Sequence, residues 1–416
     1  MPAEPVFVII GASLAGAKAA ETLREEGFAG SVVLIGTEEH RPYERPPLSK
    51  GVLLGNDDES SVYVHDEGWY AEHDVNLRLG VSATAIDRGA RRVELSDGSS
   101  VSYDKLLLTT GASPRQLRLP GDALTGVHYL RSLDDSRDLR DKLKAGGKVV
   151  IAGAGWIGLE TAAAAREYGC EVTVVEPEPG PLHRSIGPEV GEIFRSLHAS
   201  HGVTFRFGEG VAELVGGELA DGASGPRPVR MVRTTSGAEL PADLVVIGIG
   251  AVPNTQLADD AGLDVDNGIL TDAALRTSDP DIFAAGDVAN SFNPLLGRRV
   301  RVEHWGNALA GGPVAARSML GQQASHALVP YFFSDQYDLG MEAAGLSEPG
   351  RYDEVVFRGD KDSLEFIAFW LSGGAVVAGM NVNVWDVNDD IQALIRSGRP
   401  IDTARLTDPS IPLTDL

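Results

Sequence analysis

The chain has 416 residues, 43% of them apolar, and a formal net charge of −24 from 36 basic and 60 acidic side chains. That length allows roughly two to four cores, the charge opposes any overall attraction to nucleic acid or an anionic membrane, and no run reaches the roughly 18 apolar residues a membrane span needs. Cys170 is the only cysteine, which excludes an intramolecular disulfide and any cysteine-built metal cluster, and no metal site is expected.

The segment Val6 to Ala20 is apolar enough to imitate a secretion signal. Glu4 stands where such a signal is basic, however, and Gly11 and Gly16 interrupt it. A strand, a turn and a helix are expected instead, in a cytoplasmic protein. Pro5 to Ile10 reads as a buried strand, Ala15 to Glu26 as a helix stopped by Gly27, and Ser31 to Gly36 as the next strand. The turn Gly-Ala-Ser-Leu-Ala-Gly from Gly11 to Gly16 places small residues where backbone approaches a pyrophosphate and a helix N-terminus faces it. Ser13 occupies the position usually held by glycine, so this motif by itself also fits a tight turn. Glu38 and Glu39 follow the second strand at the spacing of a ribose-binding carboxylate, with Glu38 the better placed.

Leu106 to Gly111 forms an apolar strand ending in Thr-Thr-Gly. A second strand–helix–strand unit then occupies Lys148 to Ala152, Gly155 to Tyr168 and Glu171 to Glu176. Its glycine pattern is complete at Gly153, Gly155 and Gly158. Glu176 at the strand end would bind both ribose hydroxyls and repel a 2′-phosphate, which favours NADH over NADPH. Arg184 either reaches the pyrophosphate or is ordinary surface charge. Leu244 to Gly250 repeats the form of the earlier crossing strand, and after Gln322 aromatic residues cluster in alternating, strand-like runs. The expected fold is α/β, with two Rossmann-like dinucleotide-binding domains and a C-terminal α+β domain. The boundaries are 1–112 with 244–322 for the first domain, 113–243 for the second and 323–416 for the last.

Together with these fingerprints, TSDPDIFAAGDVA at Thr277–Ala289 resembles the glutathione-reductase-type flavoproteins. More narrowly, RPYERPPLSK at Arg41–Lys50, YLRSLDD at Tyr129–Asp135, RVEHWGNA at Arg301–Ala308 and FFSDQYDLG at Phe332–Gly340 are similar to the NADH-dependent reductases of oxygenase-coupled ferredoxins and rubredoxins. The likeness runs from Val6 to about Pro400. It implies FAD and NADH as cofactors, with an FAD domain (1–112 and 244–322) interrupted by an NAD domain (113–243), and FAD contacts at Ala15, Thr37, Lys50, Ala83, Arg131, Asp287 and Trp305. Relatives often carry an acidic residue at the Thr37 position, so the ribose contact passes to Glu38. Further cofactor-binding positions are Leu14, Arg45, Thr110, Gly111, Trp156, Ile157, Gly250, Gly286, Glu303 and His304. Lys50 falls where relatives place a lysine near flavin N5, and Glu160 where they place its ion-pair partner. Read without the resemblance, these are a surface lysine after a Pro-Pro turn and a carboxylate at a helix N-terminus.

Hydride transfer from nicotinamide to flavin is chemistry the cofactors supply. Related disulfide reductases pass the electrons on to a cysteine pair, which a single Cys170 cannot form. The resemblance therefore implies direct one-electron transfer to a [2Fe–2S] ferredoxin, or a rubredoxin, that feeds a cytochrome P450 or a ring-hydroxylating dioxygenase. Arg298, Arg299 and Arg301 form the densest basic run near a flavin motif and are the expected docking contacts for an acidic partner. Two alternatives stay open: a reductase of another acceptor on the same framework, and an FAD- and NAD-binding scaffold of the apoptosis-inducing-factor type. The sequence does not separate a monomer from a weak homodimer.

Overall fold

The computed structural model describes residues 4–218 and 225–416. The chain forms two compact units. One comprises the segment up to Glu44, Ser60–Ser113 and Val252–Tyr331. The other comprises Arg45–Glu59, Pro114–Ala251 and Phe332–Leu416.

The first unit is built on a five-stranded parallel sheet, in the order Ile282–Ala284, Lys105–Leu108, Val6–Ile10, Ser31–Ile35 and Val75–Arg78. Its central strands are runs of Val, Ile and Leu because both faces are covered: Val8, Ile9, Val32, Leu34 and Leu106–Leu108 are buried. The helices Leu14–Glu25 and Trp305–Met319 approach closely, and glycine makes this possible. A Cβ on Gly312 would lie 2.4 Å from the Ala15 carbonyl oxygen. Two three-stranded sheets complete the unit, one of which ends in the hairpin Ala289–Asn293 and Arg298–Arg301.

The second unit repeats the parallel arrangement, in the order Thr204–Phe207, Glu171–Glu176, Lys148–Ala152, Leu244–Ile247 and Val127–His128. It also holds a five-stranded antiparallel sheet, in the order Tyr331–Gln336, Leu339–Gly345, Ala375–Val382, Glu365–Ser372 and Glu354–Asp360. Helix Asn388–Ser397 packs on this sheet, with Ile391 buried over Gly379. Trp370 is buried and donates its indole N–H to the Ile186 carbonyl at 3.1 Å, the partner a buried indole needs.

The segment Arg45–Glu59 lies in the first dinucleotide domain by sequence order but belongs to the second unit by packing. Val52 and Leu53 are fully buried, Tyr168 Oη donates to the Leu53 and Leu54 carbonyls at 2.9 and 2.7 Å, and Glu59 pairs with Arg137 and Arg140. Residues 323–330 precede the antiparallel sheet and fall within the first unit, anchored by the His326 N–H on the Ala273 carbonyl at 2.7 Å. Among the described residues no helix is long and apolar enough to cross a membrane.

Candidate functional site

In the first unit the sequence forces a tight turn at Gly11. Its φ of +118° is a conformation that side chains rarely adopt, and a Cβ there would sit 2.1 Å from the Thr109 carbonyl oxygen. Thr109 closes the turn by donating to the Gly11 carbonyl at 2.8 Å. Ser13 is the extended N-cap of the helix, and its hydroxyl makes no capping bond. The first-turn N–H groups thus keep the anion-binding capacity of a helix N-terminus. Leu14, Ala15 and Gly16 are buried beneath it.

Other expected positions gather in the same unit. Gly286 has φ +76°, and its missing Cβ would lie 3.3 Å from that of Ala15, which sets the Gly286–Asp287 turn against the start of the Leu14–Glu25 helix. Arg301 donates to the Asp287 carbonyl at 3.3 Å and pairs with Glu303. His304 is the N-cap of the helix that begins at Trp305. Burial holds its imidazole down to about 4, against the opposing pull of Asp287. Past the second strand, Thr37 shares a hydrogen bond with Ser82 at 3.0 Å, Glu38 accepts from the Tyr43 hydroxyl, and Ala83 opens a neighbouring strand. Thr110 and Asn254 hydrogen-bond each other's carbonyls at 2.8 Å, and Gly111 accepts from the Asn254 N–H.

In the second unit the three fingerprint glycines serve different ends. A Cβ on Gly153 would lie 2.3 Å from the Gly248 carbonyl oxygen, and one on Gly158 would lie 2.1 Å from the Gly153 carbonyl oxygen. These two glycines are required by packing. A Cβ on Gly155 would meet nothing within 4 Å, so protein packing does not explain this glycine. It leaves open space at the N-cap of helix Trp156–Glu167, where a helix N-terminus can receive an anion. Glu176 accepts from the Ala154 N–H at 2.7 Å through one carboxylate oxygen and from the Glu178 N–H at 2.9 Å through the other. Both carboxylate oxygens are thereby held beside the glycine loop.

Arg184 is 82% exposed and ion-paired with Glu178. Ile157 is 42% exposed. The Trp156 ring packs edge-on against Phe194 and Phe332, with centroids 5.4 and 5.0 Å away. Gly250 turns with φ +102°, its carbonyl accepting from the Arg115 N–H at 2.9 Å.

Lys50 and Glu160, 110 residues apart, meet in this unit: Lys50 Nζ donates to Glu160 Oε1 at 2.8 Å, with the side chains 14% and 4% exposed. Lys50 Nζ also lies 5.4 Å from the centre of the Phe333 ring. Glu160 accepts from the Ser49 hydroxyl and from Ser334 Oγ at 2.6 Å. Arg45 donates to the Arg131 carbonyl, and Arg131 leads into a capping box in which Ser132 Oγ accepts from the Asp135 N–H at 3.1 Å.

Ser49, Ser334, Gln336 and His198 were not singled out by sequence reasoning. The first three lie inside quoted motifs, and Ser334 and Gln336 alternate with Asp335 on a strand, a period-2 signal of a shared buried face. Cys170 is buried in the core, its thiol donating to the Leu143 carbonyl at 3.4 Å and pushed up in pKa by burial. Among the described residues, no group of three or more His, Cys, Asp or Glu is placed to hold a metal ion.

Comparison with known proteins identifies the family. Residues 6–312 match the model of the pyridine nucleotide-disulphide oxidoreductases, and residues 331–416 match that of the reductase C-terminal domain. The chain is 43% identical to the ferredoxin–NAD(+) reductase component of the anthranilate 1,2-dioxygenase system of Burkholderia cepacia, over 99% of each chain. It is 36% identical to the putidaredoxin reductase of Pseudomonas putida, over 100% of this chain and 97% of that one. Among solved structures, the covalent putidaredoxin reductase–putidaredoxin complex superposes with a TM-score of 0.93 at 36% identity, covering 99% of this chain and 98% of that one. The ferredoxin reductase of the CYP199A2 system from Rhodopseudomonas palustris gives a TM-score of 0.92 at 34% identity, with 98% of both chains covered. The chain belongs to the pyridine nucleotide-disulphide oxidoreductases that end in a reductase C-terminal domain, an oxidoreductase family whose members bind FAD and NAD(H).

Proposed function

We propose that the chain is an NADH:ferredoxin reductase that supplies electrons to a cytochrome P450 or a ring-hydroxylating dioxygenase through a [2Fe–2S] ferredoxin. A rubredoxin is the alternative acceptor of the same chemistry. The observation that carries this reading is the pairing of two dinucleotide fingerprints with a single, buried cysteine. The family's name refers to disulphide chemistry, but this chain has only Cys170, sealed in the core. No dithiol stands between the flavin and the acceptor.

Bound FAD supplies the step that converts a two-electron hydride into single electrons. The protein's part is to bind, orient and tune. Gly11, Ser13 and Gly16, with Asp287, hold the FAD pyrophosphate and ribityl chain. Gly153, Gly155 and Gly158 admit the NADH pyrophosphate, and Glu176 takes the adenosine ribose diol and rejects a 2′-phosphate. Lys50 places a cation at the flavin, and Glu160 holds that cation in place. On this reading the division by cofactor remains 1–112 and 244–322 for FAD, 113–243 for NAD and 323–416 for the C-terminal domain.

The ferredoxin docks on the Ala289–Arg301 hairpin. Arg299 is exposed there opposite Phe292, and Phe292 and Leu295 are 39% and 37% exposed, giving an apolar and basic patch on an otherwise acidic protein. Arg301 is largely committed to Glu303 and Asp287. Arg299 donates through one guanidinium nitrogen to the Thr271 carbonyl and to the Asn290 carbonyl, the latter at 3.3 Å, but is the exposed one of the two, so Arg299 is the contact of choice. We place the protein in the cytoplasm, as a monomer or weak homodimer. Steady-state turnover with NADH and a panel of [2Fe–2S] ferredoxins and a rubredoxin tests the proposal. Turnover with at least one is expected, and reduction of none of them overturns it.

A further inference from the structure

Behind Glu160 runs a chain of buried polar side chains. Ser334, Gln336 and His198 are 0%, 1% and 0% exposed, so their polar atoms depend on one another. A carboxylate only accepts, so Ser334 commits its one proton to Glu160 Oε1, 2.6 Å away. The Ser334 oxygen must then accept from Gln336 Nε2, at 3.0 Å. This orients the Gln336 amide and turns its Oε1 toward His198 Nε2, at 2.7 Å. His198 therefore carries its proton on Nε2, which leaves Nδ1 to accept from the Tyr337 hydroxyl at 3.4 Å. Tyr337 in turn stacks on His201, with ring centroids 3.7 Å apart.

Every donated proton in this series points toward Glu160. The arrangement is poorly suited to passing a proton outward, because a carboxamide relays one only by becoming an imidic acid. It is well suited to fixing a charge, since aligned donors in a dry interior reinforce one another. The other titratable groups nearby are Lys50 and Asp335 around Glu160, and Tyr337 and His201 around His198.

We propose that His198, acting through Gln336 and Ser334, is a positioning residue for hydride transfer, locking the Glu160 carboxylate in the orientation that holds Lys50 toward the flavin. The proposal rests on the reading that Lys50 serves the flavin. The role belongs to the Nε2–H donor, which explains why an imidazole is buried 138 residues from its Gln336 partner at the cost of desolvation.

The test uses the FAD-loaded protein and four variants: His198→Leu removes the donor, His198→Gln keeps an N–H donor near the Nε2 position, Ser334→Ala cuts the chain beside Glu160, and the last combines His198→Leu with Ser334→Ala. FAD content, the flavin midpoint potential, the NADH dissociation constant and the rate of flavin reduction by NADH are measured for each. His198→Leu is expected to slow reduction by about fivefold, as for a coupling of about 1 kcal/mol, and to move the midpoint potential to a more negative value while leaving NADH affinity unchanged. His198→Gln should recover both quantities, and the double variant should be no slower than Ser334→Ala alone. Unchanged rate and potential in His198→Leu, equal losses in His198→Gln, or additive effects in the double variant each overturn the proposal. If His198→Leu does not retain FAD, Ser334→Ala must show the slower rate and shifted potential by itself. Lys50→Met distinguishes a flavin role of Lys50 from the role of His198. If it leaves rate and potential unaltered, the reading of Lys50 fails, whereas a slow Lys50→Met beside a normal His198→Leu removes the role of His198 only.

Discussion

The Glu176 carboxylate, at the end of the second strand of the NAD fingerprint, accepts the Ala154 N–H at 2.7 Å from within the glycine loop itself. One side chain thus braces the loop, and in the proposed function the same carboxylate discriminates against a 2′-phosphate. Replacing Glu176 with Gln keeps one acceptor oxygen and removes the charge. The ratio of kcat/KM for NADH over NADPH should fall by about tenfold or more, the size of a charge-assisted contact of about 1.4 kcal/mol. An unchanged ratio would place the selectivity elsewhere.

The fingerprint glycines separate packing from binding. Gly155→Ala meets no protein atom within 4 Å, so its melting temperature should match that of the parent while NADH affinity drops. Gly153→Ala adopts φ +102° with its Cβ 2.3 Å from a carbonyl oxygen. It should lose stability by more than the roughly 1–2 kcal/mol of left-handed strain alone. Thermal unfolding and NADH titration of the two variants make the comparison.

The Lys50–Glu160 pair yields a catalytic and a structural prediction. Lys50→Met should slow flavin reduction by about 10²-fold, as for the loss of one preorganised charge in a dry site. Glu160→Ala, which leaves a buried lysine unpaired, should destabilise the protein by about 3–5 kcal/mol. Stopped-flow absorbance and denaturant unfolding provide the two readouts.

Burial depresses both His198 and His326 to about 4 from the ordinary histidine value of 6.5. Both are neutral when folded and titrate near 6.5 when unfolded, so between about pH 4 and 6.5 the unfolded chain binds more protons than the native one. Stability therefore falls as pH drops through that window, by on the order of 3 kcal/mol per histidine when the window has been crossed. His326→Leu should flatten the acid slope, as measured by unfolding midpoints between pH 4 and 7.

Arg299→Glu should raise the KM for ferredoxin severalfold and spare ferricyanide reduction, because a rim charge acts mainly on encounter. Equal effects on both acceptors would remove the hairpin as the docking face.

Much of this was legible in the sequence where local chemistry dictates local structure. The runs Val6–Ile10 and Lys148–Ala152 become central parallel strands because both faces are covered, and the glycines at 11, 16, 153 and 158 sit where no Cβ fits. The fate of Arg45–Glu59 was not legible, since its packing with the second unit depends on the distant Tyr168, Arg137 and Arg140. Trp156 falls within the fingerprint, but its ring is used on Phe194 and Phe332. The series from Glu160 to His198 joins residues far apart in the chain, and alternation along Phe332–Gln336 shows only that Ser334 and Gln336 share a face.

Electron delivery to ferredoxin is read most directly by anaerobic stopped-flow reduction of the FAD-loaded protein by NADH in the presence of excess oxidised [2Fe–2S] ferredoxin. Two ferredoxins should be reduced per NADH consumed, at a turnover above about 1 s⁻¹, with NADPH markedly slower. Flavin reduction below about 1 s⁻¹ with no ferredoxin reduced would contradict it and favour a nucleotide-binding scaffold.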